Sequence, residues 1–280
     1  MSASSASCQL YPIPTWLVKQ CAKELAPIFA KMINSSLTSG VIPWNWKLAL
    51  VIPLLKKLGL ELIFNSFRLV INLPFISKTA EKVVIPQVLD HCEANAPLPS
   101  NQSSYRLHHS TETALLKVQN DILLKMDKQE VTLLILLDLS GAFDTIDHGT
   151  ILQVLENDFG ITDTALCWLS SILVSRKQHV LVNGRQSRDF AVNTGVPQRS
   201  CLGPILFIMY ASRLFRVVKS HLPHVHGYAD DTQLYLSFQP GFSMSQDNAV
   251  QAMEGCISDV RSWMINQHLK LNDGKMELDC

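Results

Sequence analysis

The chain has no net charge to work with. Its 280 residues hold 24 lysines and arginines against 24 aspartates and glutamates, so no long-range attraction to nucleic acid follows from the total. No C-x-x-C pair occurs among its seven cysteines, at 8, 21, 92, 167, 201, 256 and 280. An odd number of widely spaced thiols argues against a disulfide frame or a zinc site. It implies reduced, mostly buried cysteines in an intracellular protein, cytoplasmic or nuclear and not secreted. The opening M-S-A-S-S-A-S lacks the basic residues and apolar run of a signal peptide. The longest apolar runs, 131–137 and 201–212, fall short of a bilayer span, so no membrane partner is expected. No internal repeat is visible. What is abundant is apolar side chain, 47% of the total, which excludes disorder. At this length it supplies a core for one large domain or two small ones.

Two stretches concentrate the chemistry. Residues 227–236, G-Y-A-D-D-T-Q-L-Y-L, set adjacent carboxylates, Asp230 and Asp231, in a short apolar hairpin. Upstream, V-T-L-L-I-L-L-D-L at 131–139 delivers Asp138 at the end of a nearly continuous apolar strand, expected to be central and covered on both faces. Carboxylates at buried strand ends are costly, because desolvation disfavours the ionised form and like charges repel. A pair of divalent cations removes both costs. Three aspartates around two metals about 4 Å apart suit in-line phosphoryl or nucleotidyl transfer. The plain alternative is a polar hairpin turn.

The remaining pattern is mixed. Helical spacing covers 16–37, with Pro27 a kink or break and Gly40 an end. A strand follows from Lys47 to Leu55, then F-R-L-V-I-N-L-P at 67–74, then a helix over 77–91. Ser110 or Thr111 caps a helix to Met126. Helices are also expected over 150–158, 164–174, about 203–220 and 247–268. Asn183-Gly184 between apolar runs is a type I′ hairpin signal. Helices interspersed with hairpins indicate an α+β domain.

Taken in order, these blocks resemble a reverse transcriptase of the non-LTR retrotransposon, or long interspersed element, type over nearly the whole chain. L-L-D-L-S-G-A-F-D-T-I-D-H is similar to the family's first catalytic block and G-V-P-Q-R-S-C-L-G-P-I-L-F to its second. Y-A-D-D is similar to the third, with L-K-L-N-D-G-K near the fourth. F-R-L-V-I-N-L-P and Q-S-S-Y-R-L-H-H-S-T-E-T-A-L-L resemble finger-region blocks of that branch. Four ordered blocks are far more specific than one D-D pair. The resemblance implies a right-hand polymerase with fingers over 1–130, an N-terminal helical segment included, and a palm over 131–280. The palm would be an antiparallel sheet packed with helices, and the thumb is expected to be absent.

The resemblance also implies site roles. Asp138, Asp230 and Asp231 would hold two Mg²⁺ ions, with Mn²⁺ as a substitute, for attack of a primer 3′-hydroxyl on a dNTP. Phe143 would exclude a ribose 2′-hydroxyl, the alternative being a core aromatic. Arg68 and Arg106 would grip the triphosphate, and Gln198 would lie near template or nucleotide. Lys275 would protonate the leaving pyrophosphate, unless it is simply a solvated lysine. Asp144 and Asp147 are read instead as helix-start carboxylates, and His108 and His109 as polar surface. The implied partners are an RNA template with a DNA primer, dNTPs and other retrotransposon-encoded segments.

Some positions depart from the pattern. Arg199 and Ser104 stand where the family has glycine, Leu69 where it usually has proline, and Met276 where threonine is common. The alternative reading is therefore a catalytically inactive remnant that at most binds nucleic acid or a partner protein. A two-metal nuclease or phosphotransferase would share the aspartates but has no use for Phe143 or the Gln198 loop.

Overall fold

A computed structural model of the chain describes residues 14–95, 97–106, 108–140, 143–197, 199–241, 243–271 and 277–279. The helices are α1 (Thr15–Gln20), α2 (Ala22–Ser39), α3 (Trp44–Lys47), α4 (Phe75–Asn95), α5 (Thr111–Met126), α6 (His148–Asn157), α7 (Asp163–Leu173), α8 (Gly203–Tyr210), α9 (Leu214–Lys219) and α10 (Ser243–Asn266). The strands are β1 (Leu48–Leu55), β2 (Phe67–Asn72), β3 (Val131–Leu137), β4 (Leu139–Ser140), β5 (Arg176–Val182), β6 (Arg185–Gln186), β7 (Phe190–Val192), β8 (His224–Tyr228), β9 (Asp231–Phe238), β10 (Lys270–Leu271) and β11 (Glu277–Asp279).

Packing gathers these into two compact units, one of residues 1–91 with 152–203 and the other of 92–151 with 204–280. The units interleave, with crossings inside α4 and α6 and in the first turn of α8. The fingers and palm expected from sequence divide the chain once, between 130 and 131.

In the first unit, β1 pairs antiparallel with β2 and parallel with β5, which continues into β6 and β7. The β5–β6 connection is Asn183-Gly184, both at positive φ (49° and 76°), as a type I′ turn requires. Gly40 ends α2 in the left-handed region, φ 68°. In the same unit α2 lies against α7. The Trp168 indole N–H donates to Ser36 Oγ at 3.0 Å, so a buried donor is satisfied where the two helices meet. The expected break at Pro27 falls instead at Cys21 (φ −89°, ψ 24°), and Pro27 lies inside α2. A proline ring crowds the carbonyl four residues before it, here that of Lys23, and Lys23 is itself inside α2; the Cys21 break lies beyond that reach.

The second unit is built on the antiparallel sheet β11-β3-β9-β8, with α5, α9 and α10 against it. Phe207, Tyr210, Val218, Leu234, Cys256 and Val260 are wholly buried there. Ser110 caps α5 reciprocally: its Oγ accepts the Thr113 N–H, and Thr113 Oγ1 accepts the Ser110 N–H. β3 is central, between β11 and β9, but it is not covered equally on both faces. Leu133, Ile135 and Leu137 are buried while Thr132, Leu134 and Leu136 are only partly so. The expected single helix over 203–220 is α8 and α9 separated by a 3₁₀ turn at Ala211–Arg213. Cys21, Cys92, Cys167, Cys201 and Cys256 are free thiols. No helix among the described residues is long and apolar enough to cross a membrane.

Candidate functional site

The hairpin of β8 and β9 closes on the pair Tyr228 and Asp231, leaving Ala229 and Asp230 as a two-residue turn. Ala229 has φ 58° and Asp230 is not at positive φ, the sign pattern of a type II′ turn, whose twist suits a hairpin. On its other edge β9 pairs with β3, the last pair being Leu137 with Thr232. Asp138 is the residue after Leu137 and Asp231 the residue before Thr232, so the two stand at the same end of adjoining strands. Two carboxylate residues far apart in sequence thus lie at one end of the sheet, and Asp230 occupies the adjoining turn.

Beyond Asp138 the chain changes partner. Leu139 and Ser140 of β4 pair with Leu271 and Lys270 of β10, and Leu136 pairs with Glu277 of β11. Lys275 and Met276 lie outside the described residues; the paired residues that flank them in sequence stand on either side of Asp138. The donor set suits a divalent cation, since carboxylate oxygens are the hard ligands that Mg²⁺ takes. Among the described residues no three His, Cys, Asp or Glu side chains gather at metal-holding spacing. The carboxylates fit a cation by chemistry and by strand placement without forming a closed ligand shell.

The segment 101–106 holds the hairpin. Gly227 N–H donates to Asn101 O at 2.8 Å and Ser103 N–H to Gly227 O at 2.9 Å, a short parallel rung between Gln102 and Gly227. Ser103 Oγ is 3.0 Å from His226 Nε2. Gln102, 1% exposed, accepts the Ala229 N–H on Oε1 at 3.1 Å and donates Nε2–H to Ala229 O at 3.3 Å. Neither Gln102 nor His226 was singled out from the sequence, although Gln102 opens one of the quoted blocks. Tyr105, at φ 58°, lies in the field of Asp230. Burial first, and then that charge, push its phenol above the ordinary value.

The other expected site residues are spread over both units. In the second, the half-buried Phe143 packs its ring against Phe207 at 5.2 Å between centroids, so it is at least partly a core aromatic. Arg106 donates from Nη2 to Leu98 O, and burial lowers its pKa against the opposing pull of Glu93. Asp147 caps α6, accepting the Thr150 N–H at 2.7 Å and its hydroxyl at 2.8 Å. Those bonds hold its carboxyl below the usual range, in keeping with the structural role expected of it. His108 and His109 are exposed.

In the first unit, Arg68 is exposed on β2, an edge strand, opposite Leu54. Its neighbour Leu69 pairs with Pro53; an edge strand is where proline is also accommodated. Gln198 lies outside the described residues. Arg199 has φ 64°, so the family's glycine there answers to a left-handed backbone. Glu81, which sequence reading passed over, is 0% exposed. Its Oε2 accepts Ser200 Oγ–H, Cys201 N–H and Leu202 N–H and so fixes the loop just after Arg199.

The family model described as reverse transcriptase (RNA-dependent DNA polymerase) matches residues 55–279. The chain belongs to the reverse transcriptase family. The family expected from the ordered blocks is thus the family found. Among curated relatives, the RNA-directed DNA polymerase from mobile element jockey of Drosophila melanogaster is 28% identical over 268 residues. That match covers 92% of this chain and 28% of the relative. The probable RNA-directed DNA polymerase from transposon BS of the same fly is 25% identical, over 90% of this chain and 28% of the relative. The chain therefore spans under a third of these relatives. Of solved structures, apo telomerase from Candida tropicalis truncated from its C-terminal domain superposes with a TM-score of 0.58 at 13% identity. It covers 85% of this chain and 51% of that one. At that identity the likeness is one of fold, and it agrees with the α+β polymerase architecture expected. Reverse transcriptases in general depend on divalent metal and act on nucleic acid.

Proposed function

We propose that the chain is the polymerase domain of a non-LTR retrotransposon reverse transcriptase, adding dNTPs to a primer 3′-hydroxyl on an RNA template. The observation that carries this reading is the register that ends with Leu137 opposite Thr232 and so brings Asp138 and Asp231 to one end of the sheet beside the Asp230 turn, in a chain of this family. Asp138, Asp230 and Asp231 would hold two Mg²⁺ ions, or Mn²⁺ in their stead. The ions supply charge neutralisation and activation of the attacking oxygen.

The chain's own side chains do the rest. Arg68 and Arg106 bind the triphosphate, which for Arg106 requires release of one donor from Leu98 O. Phe143, backed by Phe207, presents its ring edge beneath the sugar and excludes a 2′-hydroxyl. Gln198 contacts template or nucleotide, and Lys275 gives a proton to the leaving pyrophosphate. Residues 1–130 serve as fingers and 131–280 as palm, working in the cytoplasm or nucleus beside other segments of the element's polyprotein.

Arg199 favours a second reading, an inactive remnant that binds nucleic acid or a partner. A side chain at φ 64° where the family has glycine strains the loop that follows Gln198. Primer extension on RNA with Mg²⁺ and dNTPs, run beside Asp230→Asn, separates the two. Extension by the chain that the variant loses supports the polymerase; folded protein with no incorporation at low salt supports the remnant.

A further inference from the structure

The hydrogen bonds around the catalytic turn converge on one side chain that no polymerase role assigns. Ala229 is a non-glycine residue at φ 58°, a conformation that persists only where its surroundings impose it. A two-residue turn also leaves the Ala229 N–H and C=O outside the strand ladder. Both are taken by the Gln102 amide, Oε1 accepting the N–H at 3.1 Å and Nε2 donating to the C=O at 3.3 Å.

The orientation of that amide is itself determined. Oε1 also accepts from the Ser104 N–H at 3.1 Å and the Ser104 hydroxyl at 2.8 Å. A flipped amide would turn its NH₂ toward two backbone N–H donors and its oxygen toward a carbonyl. The Gln102 backbone is anchored by the rung to Gly227, and the approach needs glycine there. A Cβ on Gly227 would stand 3.1 Å from Gln102 Nε2 and 2.6 Å from Phe215 Cζ.

The geometry points to Gln102 as a positioning residue: its buried amide locks the Ala229 peptide groups and so sets where the carboxylates of Asp230 and Asp231 stand. The inference rests on the polymerase reading for its consequence in catalysis, but the lock itself has readouts that need no turnover. Loosening the turn leaves both aspartates in the chain and removes the constraint that aims them. Small losses of aim at a reacting centre are costly in rate.

The test uses the full chain and two variants, with amide hydrogen exchange resolved to single residues and Mn²⁺ titration. Gln102→Met keeps the volume and removes the amide; Ser104→Ala removes one donor to Oε1 and leaves the lock on Ala229. In Gln102→Met, exchange at the Ala229 amide is expected to rise roughly tenfold or more. Exchange at Leu234 and Leu236, in the ladder of the same hairpin, stays within about twofold. The Mn²⁺ dissociation constant rises roughly tenfold, and Ser104→Ala raises Ala229 exchange by no more than about threefold. In primer extension kcat falls roughly tenfold or more while KM for dNTP stays within about twofold.

Unchanged Ala229 exchange overturns the proposal. So does a rise at Leu234 and Leu236 in step with Ala229, or unchanged Mn²⁺ affinity once Ala229 is released. A chain that shows no Asp230-dependent extension overturns the polymerase reading instead, and exchange with Mn²⁺ affinity still judges the lock.

Discussion

The carboxylate of Glu81, wholly buried, accepts the hydroxyl of Ser200 at 2.8 Å across 119 residues of sequence. The same oxygen takes the N–H groups of Cys201 and Leu202, and the Ser200 oxygen in turn accepts the Gly203 N–H at 2.9 Å. Arg176 lies in the Glu81 field. Burial brings its pKa down to about 10 against the raising effect of that carboxylate. Lys47 is also buried, held below its ordinary range by burial and then by Arg176. Glu81 thus offsets part of the cost of burying Arg176. Glu81→Ala is expected to destabilise the fold by about 3 kcal/mol or more, because it strands charge and leaves donors unpaired. Urea unfolding measures it, and a loss below about 1 kcal/mol would contradict this account of the loop.

Arg199→Gly should act the other way. A left-handed backbone costs a non-glycine residue about 1–2 kcal/mol, offset by the greater entropy glycine brings to the unfolded chain. A gain of about 0.5–1 kcal/mol in unfolding free energy is expected. Arg199→Val should lose stability, since a β-branched side chain tolerates φ 64° less well than arginine. Both are read from the same urea curves, and stabilisation by valine would contradict the strain.

Gly227→Ala forces a methyl into 2.6 Å of the Phe215 ring tip. Overpacking of this kind costs about 1–3 kcal/mol. In a Phe215→Leu background, where the ring is gone, the added cost should shrink by about half or more. A double-mutant cycle in urea reads the coupling, and strictly additive costs would show that the contact is not limiting.

His226 makes the second unit acid-sensitive. It is buried, with Nε2 against Ser103 Oγ and no hydrogen-bond partner at Nδ1. Its pKa is lowered from 6.5, by burial first and then by Lys117 and His109, with Asp121 opposing. As pH falls below 6.5 the unfolded chain takes up a proton that the folded chain refuses, so stability is lost on acidification across the window down to the lowered folded value. Unfolding free energy is expected to be lower at acid than at neutral pH, with a smaller difference in His226→Gln. An identical pH dependence in the variant would remove His226 from the account.

Local chemistry was legible in the sequence and tertiary commitments were not. The Asn183-Gly184 turn, the Gly40 helix end, the Ser110 cap and the hairpin at 227–236 all appear as read, because each depends on residues within a few positions. Asp138, Asp230 and Asp231 could be named as candidates because chain order and strand chemistry point to them. Gln102 and Glu81 could not. Their work lies in hydrogen bonds to Ala229 and to 200–202, and a buried amide or carboxylate leaves no periodic trace. Hydrophobicity also misleads locally. The run 131–137 alternates in burial, and Leu58, Leu62 and Phe64 stand exposed in the segment between β1 and β2, since apolar content does not say which face a partner covers.

Templated synthesis at the aspartates is tested most directly by single-nucleotide incorporation on an RNA template whose next base is varied through all four identities. The expected result is incorporation of the complementary dNTP in each case with Mg²⁺, lost in Asp138→Asn and in Asp231→Asn while both variants keep the fold. Incorporation that ignores the template base, or that survives in Asp138→Asn, would contradict it.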